Sequence, residues 1–339
     1  MTDLVAAMVA GVDYDAWTRT ADGGLVPQIT TDTTIHGMLR MLDVQPGMRV
    51  MEIGTGSGYS GALLSRIVGS EGHVVSLDID ADLIERACVL HEQARHANIE
   101  LHTSDGFQGC ASAGPFDRIV GWVTPHVLPM AWVGQAKPGA VVVTPVKIAD
   151  VAAANAVVRC VVDGDVGAGE LYPGNFIEMA SEIITEFGLP IRYVDAVRRC
   201  PEGQPWWISG HRLHGQPPMV AQRLLDQVVR AEPEREFFNR GSDDWRAFTA
   251  FLPTCTSNLA SVGGTCGWGM GTTTAESIAV SLSNGSLLAA GTDEARHELT
   301  RVLKQWRELG EPALCDLKPS FTPDEDGWVV RPQLRDQVS

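Results

Sequence analysis

The stretch VMEIGTGSGYSG at residues 50–61 decides the fold. An apolar run ends at Ile53, glycines follow at Gly54, Gly56 and Gly58, and apolar residues with helical spacing come after them. Glycines suit such a turn because the backbone must bend tightly and a ligand can approach it without meeting a Cβ atom. The stretch therefore predicts a strand, a ligand-binding loop and a helix.

Further strands alternate with helices along the next hundred residues. Apolar runs predict strands in HVVSLDID, IELHT, FDRIVGWV and AVVVTPV, which lie at 73–80, 99–103, 116–123 and 140–146. Asp80 is placed to cap the helix that follows the second strand. This alternation predicts an α/β fold with a parallel sheet and helices on both faces.

The alternation stops after Val146, and the chain then favours extended segments that complete the sheet in antiparallel fashion. GQPWWISGHRLHGQPP at 203–218 is rich in Gly and Pro and predicts a linker, with its tryptophans as anchors. A smaller C-terminal α+β domain is expected beyond it, with a hairpin turn at Asn284-Gly285. We therefore divide the chain into segments 1–46, 47–210 and 211–339.

Composition narrows the possible partners. The 339 residues contain 26 Lys and Arg against 42 Asp and Glu, a formal net charge of −16. Such a balance disfavours nucleic acid and anionic membranes as partners. The seven cysteines include no CxxC pair, which indicates reduced thiols and no metal site. Reduced thiols in turn predict a cytoplasmic protein.

Asp78 ends the second strand and is the expected partner of a ribose. It follows Gly58 by 20 residues, a spacing at which an acid can accept both ribose hydroxyls. GSGYSG at 56–61 also fits the GxGxxG pattern of NAD and FAD sites, so a dinucleotide is one candidate ligand. A glycine turn that serves packing alone is the remaining alternative.

The acidic strand with its glycines, Glu-x-Gly-x-Gly-x-Gly, resembles the first motif of class I methyltransferases, whose sheet is Rossmann-like. That resemblance implies S-adenosyl-L-methionine as the cofactor. Glu52 suits a cationic sulfonium and amine better than phosphates. Asp105 stands where these enzymes contact the adenine. The expected cofactor-binding residues are Glu52, Gly54, Thr55, Gly56, Ser57, Gly58, Tyr59, Asp78, Ile79, Asp105 and Gly106.

Residues 14–180 resemble one branch of these enzymes, the protein-L-isoaspartate O-methyltransferases. The resemblance rests on the motifs quoted above together with VPQITTDTTIHGML at 26–39. That family has a Gln-Thr-Ile-Ser segment that closes over the cofactor and helps to position the acceptor carboxylate. Thr31 stands at the position of the serine, which implies that Thr31 and Thr30 are the catalytic residues. GNFIEM at 174–179 resembles a late strand near the acceptor, with Glu178 in place of a proline.

The resemblance implies a carboxyl O-methyltransferase acting on an Asp or isoaspartate carboxylate in a peptide. The long C-terminal extension resembles tailoring methyltransferases of ribosomally made, modified peptides, which implies methylation of an aspartate in a constrained peptide and formation of an aspartimide or isoaspartate. The alternative is general repair of isoaspartyl residues in damaged proteins. The first reading is the one we expect from the extension.

Overall fold

The N-terminal segment is more helical than its polar sequence suggests. The structure, a computed structural model, describes residues 4–20, 22–27, 29–200 and 203–335. Its first three helices are α1 (Leu4–Val9), α2 (Tyr14–Thr18) and α3 (Asp32–Leu42). Helix α3 buries one face, which includes Met38 and Leu39, in the core beside the main sheet.

The main sheet confirms the predicted α/β fold. Its strands lie in the order β3-β2-β1-β4-β6-β7-β8, and β3, β2, β1, β4 and β6 are parallel. Strands β7 and β8 add to β6 in antiparallel fashion, as expected from the end of the alternation. The strands up to β8 are β1 (Arg49–Ile53), β2 (His73–Asp78), β3 (Ile99–Thr103), β4 (Phe116–Gly121), β5 (Leu128–Pro129), β6 (Ala136–Lys147), β7 (Asn155–Val162) and β8 (Val166–Tyr172).

The helices that follow the first strands place the site. They are α4 (Tyr59–Val68), α5 (Ala81–Gln93) and the short α6 (Met130–Gly134). Asp80 caps α5, since its carboxylate accepts hydrogen bonds from the backbone N–H groups of Asp82 and Leu83. Because β1 and β2 are parallel, the loops after them meet at the same edge of the sheet, where ligands of such folds bind.

A second, antiparallel sheet follows, in the order β14-β13-β12-β11-β10-β9. The expected hairpin turn at Asn284-Gly285 is present between β13 and β14, with φ of +84° at Gly285. The elements of this part are β9 (Ala196–Arg198), β10 (Trp206–Gly210), α7 (Pro218–Val228), α8 (Ser242–Cys255), β11 (Leu259–Gly264), β12 (Gly267–Thr273), β13 (Ser277–Leu282), β14 (Leu287–Gly291) and α9 (Glu294–Glu308).

The predicted linker contains a buried strand. Trp206 and Trp207 lie in β10 and are only 7% and 4% exposed. A Cβ atom at Gly263 or Gly264 of the neighbouring strand would lie within 2.5 Å of a tryptophan ring, so those glycines make room for the two indoles. The sheet thus begins before residue 211, and the division at 210 separates β9 and β10 from the other four strands of their sheet.

The part of the chain that forms the main sheet and the part that follows it share one large apolar cluster. Strands β15 (Leu317–Pro323) and β16 (Gly327–Leu334) form a hairpin, and β16 pairs with β5 of the first part. One continuous apolar cluster contains Trp132 from α6 together with Phe248 and Trp306 from α8 and α9. Among the described helices, none is long and apolar enough to cross a membrane.

Candidate cofactor and acceptor site

The glycine loop is fastened to the end of β2. The backbone N–H groups of Gly54 and Thr55 donate to the carbonyl of Leu77 at 2.7 and 3.1 Å. Gly58 has φ of +83°, and a Cβ atom there would lie 3.2 Å from the ring of Trp17. Only glycine tolerates both the left-handed backbone and this close approach.

Asp78 holds the loop and faces the same cavity. Its Oδ2 accepts from the N–H of Gly56 at 2.9 Å, and its Oδ1 accepts from the N–H of Asp80 at 3.1 Å. Burial raises the pKa of Asp78, and these N–H donors oppose the shift. A carboxylate oxygen can accept more than one hydrogen bond, so Asp78 remains able to receive ribose hydroxyls.

Glu52 lies beneath the loop rather than in the cavity. Its side chain is fully buried and accepts hydrogen bonds from Ser60 Oγ, from Ser76 Oγ at 2.6 Å and from Trp122 Nε1 at 3.0 Å. Burial raises its pKa, and the three donors oppose that shift. The expected direct contact with a sulfonium or amine is therefore not available to Glu52, which instead joins α4, β2 and the residue after β4.

A cavity of about 410 Å³ opens at the carboxyl ends of β1 and β2. Eight of the residues expected from the sequence line it, and they are Thr30, Gly54, Thr55, Gly56, Ser57, Asp78, Ile79 and Gly106. The other five do not, and they are Thr31, Glu52, Gly58, Tyr59 and Asp105. The loop and the strand ends thus line a cavity at the place where the sequence predicts the site, and five of the predicted residues lie outside its lining.

The two candidate catalytic threonines differ in position. Thr30 is half-buried in the cavity wall, and its carbonyl accepts a hydrogen bond from Tyr14 Oη at 2.9 Å. Thr31 is exposed at the start of α3, where its Oγ1 lies 2.8 Å from Thr34 Oγ1. Gln28, which precedes them in the quoted motif, lies outside the described residues.

Tyr59 and Asp105 do not line the cavity and make hydrogen-bonding contacts outside it. The buried phenol of Tyr59 lies 2.9 Å from His36 Nε2. The carboxylate of Asp105 accepts from the N–H of Phe107 and so begins a single 3₁₀ turn. Gly106, the next residue, lines the cavity, whereas Asp105, the predicted adenine contact, does not.

Sequence reasoning missed most of the opposite wall. Trp122 and Val123 line it after β4, and a segment from Ile177 to Phe187 lines it from further along the chain. The segment is tied to the end of β4, since Thr124 donates its N–H to Ile177 and accepts one from Met179. The family resemblance at 174–179 was the signal for it, but the residues after Met179 carry no strand or helix pattern.

The charge of the lining distinguishes between ligands. Within the described part of the chain, the lining residues include Asp78, Asp80 and Glu182, together with Glu178, whose charge is paired with Lys147 outside the lining, and they include no Lys, Arg or His. A pyrophosphate would bring two negative charges among these carboxylates, whereas a sulfonium and an amine would be attracted to them. The residues present fit S-adenosyl-L-methionine better than a dinucleotide.

Comparison with known proteins supports the same assignment. A family model described as Protein-L-isoaspartate(D-aspartate) O-methyltransferase (PCMT) matches residues 16–180, just under half of the chain. Over that segment the chain is similar to this family. The PCMT segment contains the glycine loop, Asp78, Gly106 and the first residues of the opposite wall.

Curated relatives of the PCMT segment are named protein-L-isoaspartate O-methyltransferase. One from Methanothrix thermoacetophila is 36% identical over 109 residues, covering 32% of this chain and 52% of its own length. One from Roseobacter denitrificans is 35% identical over 122 residues, covering 36% of this chain and 56% of its own length. The chain thus spans about half the length of the curated relatives it matches.

Solved structures give a looser likeness. A protein-L-isoaspartate O-methyltransferase structure is 18% identical with a TM-score of 0.48, covering 94% of this chain and 91% of its own. A putative protein-L-isoaspartate O-methyltransferase from Plasmodium falciparum, in complex with S-adenosyl-L-homocysteine, is 15% identical with a TM-score of 0.46, covering 53% of this chain and 92% of its own. The names of the curated relatives agree with the isoaspartyl alternative.

Proposed function

We propose that this chain is an S-adenosyl-L-methionine-dependent carboxyl O-methyltransferase whose acceptor is an L-isoaspartyl residue in a protein or peptide. One observation carries the proposal: the glycine loop and Asp78, both in the segment that the PCMT family model matches, meet at one cavity. The named relatives support the isoaspartyl acceptor over the constrained ribosomal peptide that the extension suggested.

The cofactor would be held by the loop and by the ends of β2 and β3. Backbone of Gly54 to Ser57 would lie against it, Asp78 would accept its ribose hydroxyls, and Gly106 would lie against its base. When bound, S-adenosyl-L-methionine supplies an activated methyl group on a positively charged sulfur. The carboxylates of the lining compensate that positive charge.

The protein needs no general base for this reaction. An ordinary carboxyl group has a pKa of about 4, so the acceptor is already ionised near neutral pH. What remains is to hold the acceptor oxygen in line with the methyl carbon and to exclude water. Thr30, which lines the cavity, is the proposed orienting hydroxyl, and the neighbouring Thr31 is the second candidate.

Intact-mass spectrometry with the cofactor tests the proposal on two linear peptides of identical composition. One contains L-isoaspartate, and the other contains ordinary aspartate at the same position. We expect a mass gain of one methyl group on the isoaspartyl peptide alone, and a slower gain with the Asp78→Ala protein when the cofactor is below saturation. If neither peptide gains a methyl group while the protein still binds the cofactor, the isoaspartyl acceptor is wrong.

A macrocyclic peptide with a single aspartate forms a third arm. Methylation of that aspartate followed by loss of methanol, with no methylation of the linear isoaspartyl peptide, would instead favour the constrained-peptide reading. The two acceptor classes are thus separated in one experiment.

A further inference from the structure

Lys147 and Glu178 form a buried ion pair at the edge of the cavity. Lys147 Nζ lies 2.7 Å from Glu178 Oε1, and the two residues are only 1% and 7% exposed. Lys147 ends β6 and does not line the cavity, whereas Glu178 does. Glu178 is also the residue that replaces a proline in the family resemblance.

The second oxygen of Glu178 fastens a distant part of the chain. Its Oε2 accepts hydrogen bonds from the backbone N–H groups of Ile191 and Arg192 at 2.9 and 3.0 Å. The Arg192 guanidinium donates to the carbonyl of Met179 at 2.7 Å. Residues 178–179 and 191–192 are therefore tied together, which closes the base of the intervening segment.

That segment, residues 180–190, is a solvent-exposed part of the cavity wall. It contains no helix or strand, and six of its residues line the cavity. Ile183 and Phe187 are among those six and are nevertheless 54% and 53% exposed. The rest of the lining includes strand ends, the glycine loop and, from the N-terminal segment, Pro27, Ile29 and Thr30. An acceptor peptide that enters the cavity from solvent would therefore meet the side chains of residues 180–190 on one side.

The residues next to this ion pair also make contacts with Tyr193 and with the C-terminal hairpin. Lys147 Nζ lies 5.3 Å from the centre of the Tyr193 ring, next to Arg192. Asp150, three residues after Lys147, pairs with Arg331 of β16 at 2.6 Å. The position of the segment therefore depends on contacts made by three distant parts of the chain.

We propose that Lys147 and Glu178 are a positioning pair that fixes residues 180–190 as one wall of the acceptor entrance. The proposal rests on the proposed function for the identity of the acceptor. Burying an ion pair costs desolvation free energy, and removing one partner destabilises the protein because it leaves the other charge buried and unpaired. The intact pair therefore holds its two chain segments in one arrangement. The pair acts through the segment and does not touch the methyl group.

Two variants and one control test the pair. Lys147→Met removes the cation outside the cavity, and the double variant Lys147→Met with Glu178→Gln removes both charges so that none is left unpaired. Glu186→Gln is the matched control, because it removes an exposed ion pair, with Arg199, from the same segment. For each protein, we would measure hydrogen exchange of residues 180–190, the KM and kcat for an isoaspartyl peptide, and the Kd for the cofactor.

We expect exchange in residues 180–190 to rise at least about tenfold in the double variant, because the base of the segment opens. The peptide KM should rise about tenfold, with the cofactor Kd within about twofold of the wild-type value. The control should match the wild type in all three. Unchanged exchange in the double variant, or a cofactor Kd that rises as much as the peptide KM, would overturn the positioning role.

The exchange measurement needs no acceptor and so separates the two proposals. A wild-type protein that binds the cofactor but methylates no isoaspartyl peptide contradicts the proposed function, while exchange still decides whether the pair holds the segment. Methylation with a normal peptide KM in the double variant contradicts the pair and leaves the function standing.

Discussion

Gly56 and Asp78 are joined by a hydrogen bond of 2.9 Å from the backbone N–H of the glycine to the carboxylate. The residue that ends β2 therefore fixes the loop that follows β1, and it faces the cavity as well. One carboxylate thus shapes the cofactor site and would bind the ribose.

Asp78→Ala is expected to raise the cofactor Kd by at least about tenfold, since a hydrogen bond to a charged group contributes about 1.5 kcal/mol or more. Isothermal titration calorimetry with S-adenosyl-L-methionine measures the change. Asp82→Asn, on the exposed first turn of α5, is the control and should bind normally. An unchanged Kd for the alanine variant would remove Asp78 from the site.

Glu52→Gln is expected to lower the free energy of unfolding by about 1–3 kcal/mol, because a buried donor loses its acceptor. The glutamine amide presents one oxygen and one NH₂ group to three donors, and Trp122 Nε1 can only donate. Urea unfolding measures the loss. Glu71→Gln, on an exposed turn, should stay within about 0.5 kcal/mol of the wild type. A Glu52 variant as stable as this control would contradict the buried network.

Thr30→Val is expected to lower kcat/KM for an isoaspartyl peptide about tenfold, the loss of one orienting hydrogen bond. Thr31→Val is the matched comparison, and its effect should be smaller because Thr31 Oγ1 lies next to Thr34 outside the cavity. Steady-state kinetics with saturating cofactor gives both values. A larger loss for Thr31→Val would mean that this segment turns when the acceptor binds.

His91 gives the fold a dependence on pH. Burial, followed by the neighbouring His96, lowers the pKa of His91 from 6.5 to about 4, and the two Nδ1 atoms lie 2.9 Å apart. The folded protein therefore binds this proton less tightly than the unfolded chain. Above about pH 6.5, His91 is neutral in both states and does not lower the free energy of unfolding. As the pH falls towards about 4, the unfolded chain takes up the proton first, and the free energy of unfolding falls by a total of about 3 kcal/mol.

Urea unfolding at about pH 7 and about pH 4.5 checks this sign. His91→Gln should lose less stability than the wild type between the two values, since it cannot take up the proton. His297→Gln, on the exposed face of α9, should follow the wild type. A parallel decline of all three proteins would place the acid sensitivity elsewhere.

The shared core predicts that the whole chain unfolds in one calorimetric transition. Trp132 packs in the same cluster as Phe248 and Trp306, so each part loses a large share of its buried apolar contacts without the other. A chain that ends at residue 210 should accordingly lose cooperative unfolding. Two separate transitions in the full chain, or a cooperative melt of the shortened one, would show that the parts fold independently.

Local signals sufficed for the elements that build the cofactor loop. Strands β1 and β2 are buried on both faces and appear in the sequence as apolar runs, and the cap at Asp80 and the turn at Asn284-Gly285 depend on neighbouring residues only. These features were therefore predictable, and so was the place where the cavity opens.

Long-range contacts decided what the sequence could not indicate. Glu52 points beneath the loop because its three hydrogen-bond donors come from α4, β2 and the residue after β4. Trp206 and Trp207 look like linker anchors until the glycines of β11 are placed beside them. The two-residue strand β5 exists because β16 pairs with it, and no local pattern predicts that pairing.

The pairing of β16 with β5 also bears on synthesis of the protein. Leu128 and Pro129 leave the ribosome long before Gly327 and Trp328, their partners in the sheet. The nascent chain must therefore carry its cofactor-binding half, with part of the apolar cluster uncovered, until the hairpin emerges. During that interval, the growing polypeptide is a natural client for chaperones that bind exposed apolar surface.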